Sequence, residues 1–341
     1  MNMLFHNALG IDLGTDTIKI CDRKKRITVC EKNMIAVRGG RVLAIGDAAY
    51  DMYEKTPADV QAECPMVHGV IAQQKNAEVV LSRLIRRSHR FLSGRPAIYI
   101  AVPRDISAVE KRAYYNVLTG TVRAGKIYLV DKGIADTIGV GVSMESPRAS
   151  MLVNIGAGTT EISVAAGGKI LLSKTLPIGG HTLDEDISTM VRRMYHLNIG
   201  MKTAAVLKNR LSYMIDGPAD SLTVFGISTI SGVPVSAEIT SMAVSRAIAG
   251  TIKTITDELR GIIDRLPPQF HHDILEAGLC LTGGTSLIPN LSDYMRHELN
   301  IPISMVREPG LTTLHGIQTI MNHPELSECT FSLKDLTGTT I

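Results

Sequence analysis

Two stretches of the sequence share one pattern, GIDLGTDTIKI at residues 10–20 and LVNIGAGTTEISV at residues 152–164. Each has an apolar run, a polar residue (Asp12 or Asn154), a glycine two positions later (Gly14 or Gly156) and one or more hydroxyls. A second apolar run follows in each. Alternating apolar runs on both sides of a short glycine-containing segment are typical of a β-hairpin. The sequence therefore predicts two hairpins with hydroxyl-bearing turns.

The residue types in these turns suit an anion. Glycine lets backbone N–H groups approach a phosphate closely, and threonine adds a hydroxyl donor. A carboxylate such as Asp12 can hold a Mg²⁺-bound water, because Mg²⁺ keeps most of its waters. Two such hairpins facing each other would grip a polyphosphate from both sides. Gly-Thr turns also occur in ordinary hairpins, so it is the repetition that favours the binding interpretation.

Composition narrows the function classes. The chain has 341 residues and is 45% hydrophobic, so it is long and apolar enough for two domains with hydrophobic cores. Its formal net charge of +3 shows no strong charge bias. It has no Trp and is 4% aromatic, which argues against base stacking and a nucleic-acid partner. The five cysteines show no paired metal spacing and suit a reducing compartment. With no signal peptide or membrane-spanning run recognised, we expect a cytoplasmic protein.

The remaining pattern predicts an α/β protein, because strands and helices alternate along the chain. A capping box at Ser107–Glu110 predicts a helix start, and an apolar seam over residues 241–265 predicts a long helix. We also predict a loop over residues 56–65, a helix beginning near Asp184 and a loose polar tail after Pro324. Pro267-Pro268 is interpreted as the end of the long helix.

Phe91 and Leu92 form an apolar pair between Gly/Pro-rich and arginine-rich sequence. An apolar tip ringed by cations is what binding to an anionic bilayer surface needs. The alternative is that the pair packs into the core, and the residues by themselves leave both open.

Two histidine positions also carry alternatives. His271-His272-Asp273 has ligand-type residues but no third ligand at useful spacing, so a solvated loop is favoured over a metal site. His181 follows the pair Gly179-Gly180, where it either faces a phosphate or is only a polar residue at a helix start.

A further glycine-containing turn, Thr282–Ser286, follows the two already described. The chain thus has three turns of phosphate- and nucleoside-binding type, in the order 12–17, 154–160 and 282–286. This order resembles the superfamily of actin, sugar kinases and heat-shock chaperone ATPases, and more closely the bacterial actins of the MreB/Mbl family. The resemblance covers nearly the whole chain. The segments that carry it are Val42–Gly46, Pro65–Ala72, Val109–Ala113, Gly156–Glu161, Ile178–Gly180, Val191–Arg193 and Leu281–Gly284.

The resemblance implies an actin-like (ribonuclease H-like) fold of duplicated α/β domains around a nucleotide cleft, each with a smaller subdomain. It implies ATP and Mg²⁺ as cofactors, with Asp12 acting on the metal through water. The implied subdomains are residues 1–31 with 77–144 and 312–341 (IA), 32–76 (IB), 145–184 with 252–311 (IIA), and 185–251 (IIB). The implied nucleotide-binding residues are Asp12, Gly14, Thr15, Asp16, Thr17, Asn154, Gly156, Ala157, Gly158, Thr159, Thr160, Gly179, Gly180, Lys208, Gly283, Gly284 and Thr285.

Departures from the family pattern concentrate at the nucleotide. Lys132, followed by Gly133, occupies the position of a family Glu-Pro pair whose Glu positions the attacking water, and Asn154 replaces a family Asp. The interval between them matches the family's. Lysine cannot act as a carboxylate base, and asparagine brings no negative charge to a Mg²⁺ water shell. Further replacements are Thr285 for the third glycine of its turn and Ala205 and Arg210 for glutamates, and the first turn is one residue short. We therefore expect impaired hydrolysis and assign no catalytic residue, because Lys132 and Asn154 occupy the family's catalytic positions.

The function implied is that of a cytoskeletal protein that assembles into protofilaments and organises cell-wall synthesis and cell shape. Its implied partners are further copies of itself, the inner face of the membrane with its anionic lipids, and cell-wall elongation proteins. In the family, Phe91-Leu92 falls where a membrane-inserting loop lies, so we expect a cytoplasmic protein that is peripheral at the membrane. The alternative is an active ATPase or small-molecule kinase of the same superfamily, which would need the carboxylates that this chain has replaced.

Overall fold

A computed structural model of the protein describes residues 8–24, 26–88, 95–121, 125–143, 145–215 and 217–331. Its strands are β1 (Ala8–Leu13), β2 (Thr17–Asp22), β3 (Ile27–Lys32), β4 (Ile35–Arg38), β5 (Arg41–Ile45), β6 (Val60–Glu63), β7 (Met66–Val67), β8 (Val70–Ile71), β9 (Ala97–Val102), β10 (Lys126–Asp131), β11 (Ser150–Ile155), β12 (Thr160–Ala166), β13 (Lys169–Leu176), β14 (Leu197–Asn198), β15 (Ser221–Ser228), β16 (Pro234–Thr240), β17 (Leu279–Thr282), β18 (Ile303–Met305) and β19 (Thr330–Phe331).

The α-helices of the described residues alternate with these strands, as the sequence predicts. They are α1 (Asp47–Met52), α2 (Gln74–Ser88), α3 (Ala108–Thr121), α4 (Lys132–Gly139), α5 (Gly180–Tyr195), α6 (Met201–Leu211), α7 (Ser241–Ile263), α8 (Pro268–Ala277), α9 (Leu291–Leu299) and α10 (Thr312–Asn322). Short 3₁₀ turns lie at Gly284–Leu287, Pro309–Leu311 and Pro324–Cys329.

Two larger sheets organise the strands. One has the order β19-β10-β9-β1-β2-β3, and the other has the order β13-β12-β11-β17-β18. Within the first sheet, β1, β9 and β10 run parallel, and β2 returns antiparallel beside β1. In the second sheet, β11, β17 and β18 run parallel. Each sheet therefore holds the carboxyl ends of its parallel strands at one edge, and both predicted turns begin there.

The chain divides into two compact units. Unit 1 comprises residues 1–147, 163–175 and 310–341, and unit 2 comprises residues 148–162 and 176–309. In unit 1 the core lies between the first sheet and α2 and α3, with fully buried side chains that include Ile11, Leu84 and Tyr114. In unit 2 the apolar seam of α7 is buried through Ile248, Ile252 and Leu259, as its four-and-three spacing predicts.

Several local predictions are confirmed. The capping box that opens α3 is present, because the Glu110 backbone N–H donates to the Ser107 hydroxyl and the Ser107 N–H donates to the Glu110 carboxylate. The first predicted hairpin forms as β1 and β2. In the second, β11 and β12 are hydrogen-bonded neighbours on either side of the predicted turn.

Four local predictions are wrong. Residues 56–65 contain strand β6, which pairs with β4. The loop predicted at His271-His272-Asp273 is a helix, because these residues lie in α8, which begins at Pro268. Asp273 accepts a hydrogen bond from the Ala149 N–H at 2.8 Å. Helix α5 begins at Gly180 and not near Asp184. In the tail, Pro324–Cys329 form a 3₁₀ turn and Thr330–Phe331 form strand β19, which pairs with β10. Residues 332–341 lie outside the described residues.

Candidate nucleotide-binding site

The first turn, between β1 and β2, is closed by a backbone hydrogen bond. The Gly14 N–H donates to the Thr17 carbonyl at 3.2 Å. A Cβ at Gly14 would lie 2.7 Å from that same oxygen, so a side chain here would push the turn open. The strand register then sets Asp12 directly opposite Lys19.

Both carboxylates of the first turn are paired with lysines from neighbouring strands. Lys19 Nζ lies 2.9 Å from an Asp12 carboxylate oxygen, and Lys32 Nζ lies 2.8 Å from Asp16. Burial would raise the pKa of the Asp12 carboxyl, but the charges of Lys19 and Lys132 and the Lys19 hydrogen bond outweigh it. The pKa of Asp12 therefore lies below its ordinary value, and Asp12 is ionised at neutral pH.

The threonine hydroxyls of the first turn also have protein partners. Thr15 Oγ1 accepts from the Gly69 N–H at 3.2 Å, and its carbonyl accepts from Cys64 Sγ at 2.9 Å. Thr17 Oγ1 donates to Asp16 at 2.9 Å. The Gly69 bond holds the first turn against the β7–β8 connection, and the Cys64 bond holds it against the residue that follows β6.

Lys132 is the first residue of α4, directly after strand β10. Its neighbour Asp131 is the N-cap, whose carboxylate accepts from the backbone N–H groups of Gly133 at 2.9 Å and Ile134 at 3.4 Å. Asp131 also pairs with Arg104 at 2.7 Å. Its carboxylate is therefore committed to the helix start and to Arg104.

The second turn, between β11 and β12, has the same closure as the first. The Gly156 N–H donates to the Thr159 carbonyl at 2.8 Å. Thr159 Oγ1 lies 3.4 Å from the buried Glu161 carboxylate, and Thr160 Oγ1 donates to the Ile178 carbonyl at 2.8 Å. The repeated Gly-to-Thr bond supports the interpretation of the two stretches as structural copies.

Two further predicted segments pack on the second turn within unit 2. The Gly180 N–H donates to the Gly156 carbonyl at 2.9 Å, and the His181 N–H donates to the Ala157 carbonyl at 2.8 Å. Thr285 Oγ1 donates to the same Gly156 carbonyl at 2.8 Å. The glycine pair at 179–180, the second turn and the Thr282–Ser286 segment are therefore gathered into one cluster.

Gly283 and Lys208 complete this cluster. Gly283 has φ +86, and a Cβ there would lie 2.3 Å from the Ile155 carbonyl and 2.5 Å from Asn154 Oδ1, so only glycine fits. Lys208 Nζ donates to the Gly180 carbonyl at 2.7 Å and lies 2.7 Å from an Asp184 carboxylate oxygen. Lys208 thus anchors the start of α5 to α6.

The residues of unit 1 do not fit a Mg²⁺ site at Asp12. Mg²⁺ is usually held through one or two carboxylates together with substrate phosphates. Here the one carboxylate on β1 already carries an ammonium group at 2.9 Å, and Lys132 adds a second positive charge to its surroundings. In the described part of the chain, no three His, Cys, Asp or Glu side chains are grouped to hold a metal ion. The expected metal role of Asp12 is therefore not supported by its surroundings.

Sequence reasoning missed three groups at these turns, Lys19, Glu161 and Asp184. For Lys19 the signal was present, because counting outward from the turn in an antiparallel hairpin pairs residue 13 with 18 and 12 with 19. The predicted membrane residues Phe91 and Leu92 lie outside the described residues. Among the described residues, no helix combines the length and the apolar character needed to cross a membrane.

Solved structures define the class of protein. The chain resembles the crystal structure of MreB5 of Spiroplasma citri bound to ADP, with a TM-score of 0.88, 25% identity, and coverage of 92% of this chain and 95% of that one. It also resembles the MamK double helical filament structure, with a TM-score of 0.78, 19% identity, and coverage of 93% and 99%. The fold is that of the actin-like proteins, as the sequence predicts.

Sequence relatives define the family. Mbl of Bacillus subtilis (strain 168), a cell shape-determining protein, is 30% identical over 311 residues, which cover 90% of this chain and 93% of that protein. The cell shape-determining protein MreB of Escherichia coli (strain K12) is 31% identical over 322 residues, covering 92% of each. The MreB/Mbl protein family matches residues 6–328. The chain belongs to the MreB/Mbl family.

Proposed function

We propose that this protein is an ATP-binding, filament-forming cell-shape protein with impaired hydrolysis, attached to the inner face of the membrane and acting with the cell-wall elongation proteins. Nucleotide binding is supported by the two glycine-closed turns and by the nucleotides of the related structures, ADP in one form of S. citri MreB5 and AMPPNP in another. Filament formation is supported by the double helical filament of MamK.

The observation that carries impaired hydrolysis is the pairing pattern around α4. General-base activation of a water needs a group that can accept its proton, and a lysine that is charged at neutral pH cannot. Residue 132 is a lysine, and the carboxylate beside it, Asp131, is held by the backbone of α4 and by Arg104. In unit 2, position 154 carries a neutral amide.

Phosphate release from ATP tests this assignment. We expect a rate at least about ten-fold below that of E. coli MreB measured in parallel, a difference of about 1.4 kcal/mol in barrier. The double variant Lys132→Glu with Asn154→Asp should raise the rate, because it restores both carboxylates. The control is Lys253→Glu, a charge reversal at the exposed Lys253–Asp257 pair of α7, which should leave the rate unchanged.

Two results would contradict parts of the proposal. A wild-type rate equal to that of E. coli MreB, and lost in Asp12→Ala, would keep the site and reject impaired hydrolysis. A chain that stays monomeric in sedimentation at high concentration, with ATP and with anionic lipid, would reject filament formation.

Membrane attachment is proposed through Phe91 and Leu92, on the sequence pattern. Burying two such apolar side chains contributes about 3–6 kcal/mol at most, and each nearby cation adds about 1 kcal/mol at an anionic surface. One molecule would bind reversibly, while a filament presenting many copies would bind firmly through avidity.

The test is co-sedimentation with anionic liposomes. Phe91→Ser with Leu92→Ser should lower the bound fraction, while Phe225→Ser, which removes an exposed phenyl ring on β15, should not. Equal binding by wild type and the double variant would exclude this pair as the anchor.

A further inference from the structure

The fold brings two lysines to the carboxylate of the first turn. Strands β1, β9 and β10 are parallel and adjacent, with Ile11 level with Ile100 and Asp131 level with Val102. Asp12 and Lys132 therefore stand at the same carboxyl edge with only β9 between their strands, a separation of roughly 9–10 Å between the strands. Lys19 approaches from the other side, because β2 sets it opposite Asp12.

A divalent cation needs negative charge around it, and these contacts place positive side chains beside Asp12 instead. The Lys19–Asp12 pair is largely buried, with side chains 16% and 9% exposed. Lys132 acts on the same carboxylate through its charge. The nearby carboxylates of Asp131 and Asp16 are paired with Arg104 and Lys32. Asp12 thus faces the charges of two lysines, and the ammonium group of Lys19 lies against the carboxylate where the water shell of Mg²⁺ would bind.

The same arrangement suits a polyphosphate directly. An ammonium group has three N–H donors, and the bond to Asp12 uses one of those of Lys19. The bond also holds the Lys19 side chain in a fixed position, so less conformational entropy is lost when an anion binds. At position 132 the contribution is the charge of the lysine itself, because the Asp131 carboxylate already accepts from the N–H groups of Gly133 and Ile134 at the start of α4.

We propose that this protein binds nucleoside triphosphate without a divalent cation, and that Lys19 and Lys132 supply the positive charge that neutralises the polyphosphate. This inference rests on the proposed nucleotide binding and concerns the phosphate side of that site. Impaired hydrolysis and metal-free binding would then both follow from a lysine at position 132, where the family has a glutamate.

Titrations of ATP in EDTA and in excess Mg²⁺ test the inference. For the wild type the two dissociation constants should agree within about three-fold. Lys132→Glu should weaken binding in EDTA by about ten-fold or more, with Mg²⁺ recovering much of the loss. A carboxylate at the first turn of a helix is favourable, so this variant should keep its fold, which the thermal midpoint checks.

Lys132→Met removes the ammonium group without adding a carboxylate, so it should weaken binding in both media and leave it independent of Mg²⁺. The control Lys253→Glu should match the wild type in both. Inorganic tripolyphosphate in EDTA should compete with ATP for the wild type and compete less well for Lys132→Met, which separates recognition of the phosphates from that of the base.

The outcomes are distinguishable. Wild-type binding that is ten-fold or more tighter with Mg²⁺ than with EDTA would overturn the inference and leave ATP binding intact. Absence of ATP binding in both media would overturn the inference together with the proposed nucleotide function. An unchanged affinity in EDTA for both Lys132 variants would remove Lys132 from the anion site.

Discussion

The two turns share a backbone and differ in charge. Each is closed by a glycine N–H donating to the carbonyl of the threonine three residues later, at 3.2 Å in the first and 2.8 Å in the second. The first turn carries two carboxylates, Asp12 and Asp16, each paired with a lysine. In the second turn a neutral Asn154 stands at the position of Asp12. The backbone bond that makes the turn does not depend on the charge beside it.

This difference separates two roles of the repeated stretch. Closure of the turn needs a carbonyl at the right distance and is easiest with a residue that has no Cβ, and both copies keep a glycine there. The charge at positions 12 and 154 takes no part in that closure, and here the copies have diverged. Variants at the two turns can therefore test backbone and charge separately.

The largest expected effect comes from unpairing Asp12. Lys19→Met leaves a buried carboxylate without its ammonium partner, and breaking a mostly buried pair in this way destabilises by about 3 kcal/mol. Adding Asp12→Asn should recover much of that loss. Urea unfolding measures both. Asn154→Ala in the second turn removes a neutral side chain, so it should not leave a buried charge that a second substitution could relieve. A cost for Lys19→Met no larger than that of Lys253→Met, at an exposed pair, would contradict the argument.

The next effect compares the two glycines. A Cβ would lie 2.7 Å from the Thr17 carbonyl in Gly14→Ala, but 3.1 Å from the Thr159 carbonyl in Gly156→Ala. Overpacking of this kind costs about 1–3 kcal/mol, so we expect about 2 kcal/mol for Gly14→Ala and about 1 kcal/mol for Gly156→Ala. Thermal unfolding of the two variants decides this. The reverse order would show that the turns are not closed alike.

The smallest effect is a dependence on acid. Because the pKa of Asp12 is lower in the folded state than its ordinary value of 3.8, Asp12 contributes stability above that pH. The contribution is lost as pH falls through the folded pKa. The stability advantage of wild type over Asp12→Asn should therefore shrink below about pH 4. Asn154 does not titrate, so Asn154→Ala should show a constant difference from wild type. An advantage of wild type over Asp12→Asn that stays constant down to pH 2 would contradict the lowered pKa.

Much of the fold could be predicted from the sequence, because its strongest signals are local. The hairpins at residues 10–20 and 152–164, the capping box at Ser107 and the apolar seam of α7 each follow from spacing alone. The grouping of the second turn, Gly180 and Thr285 was implied by resemblance, and the structure brings these three together in unit 2. The four subdomain boundaries stay a prediction, as do the nucleotide-binding roles.

The errors came from signals with two meanings. Proline ends a helix when it lies inside it, but it also fits the first position of the next helix, as Pro268 does in α8. Strands β6 and β19 are short and are stabilised by their partners β4 and β10, so propensity alone could not identify them. The Lys19–Asp12 pair follows from the register of β1 and β2, which places the two residues opposite each other, and not from the charge of either residue alone.

The start of α4 has a consequence for how this lineage can change. Asp131 is constrained because it caps the helix and pairs with Arg104. Gly133 is constrained because a Cβ there would lie 2.4 Å from Ser163 Oγ. The side chain of Lys132, between them, is half-exposed and supports neither contact. The cap and the close packing therefore restrict positions 131 and 133, and neither restricts the side chain at position 132. The charge at position 132 can change while the start of α4 keeps its backbone contacts.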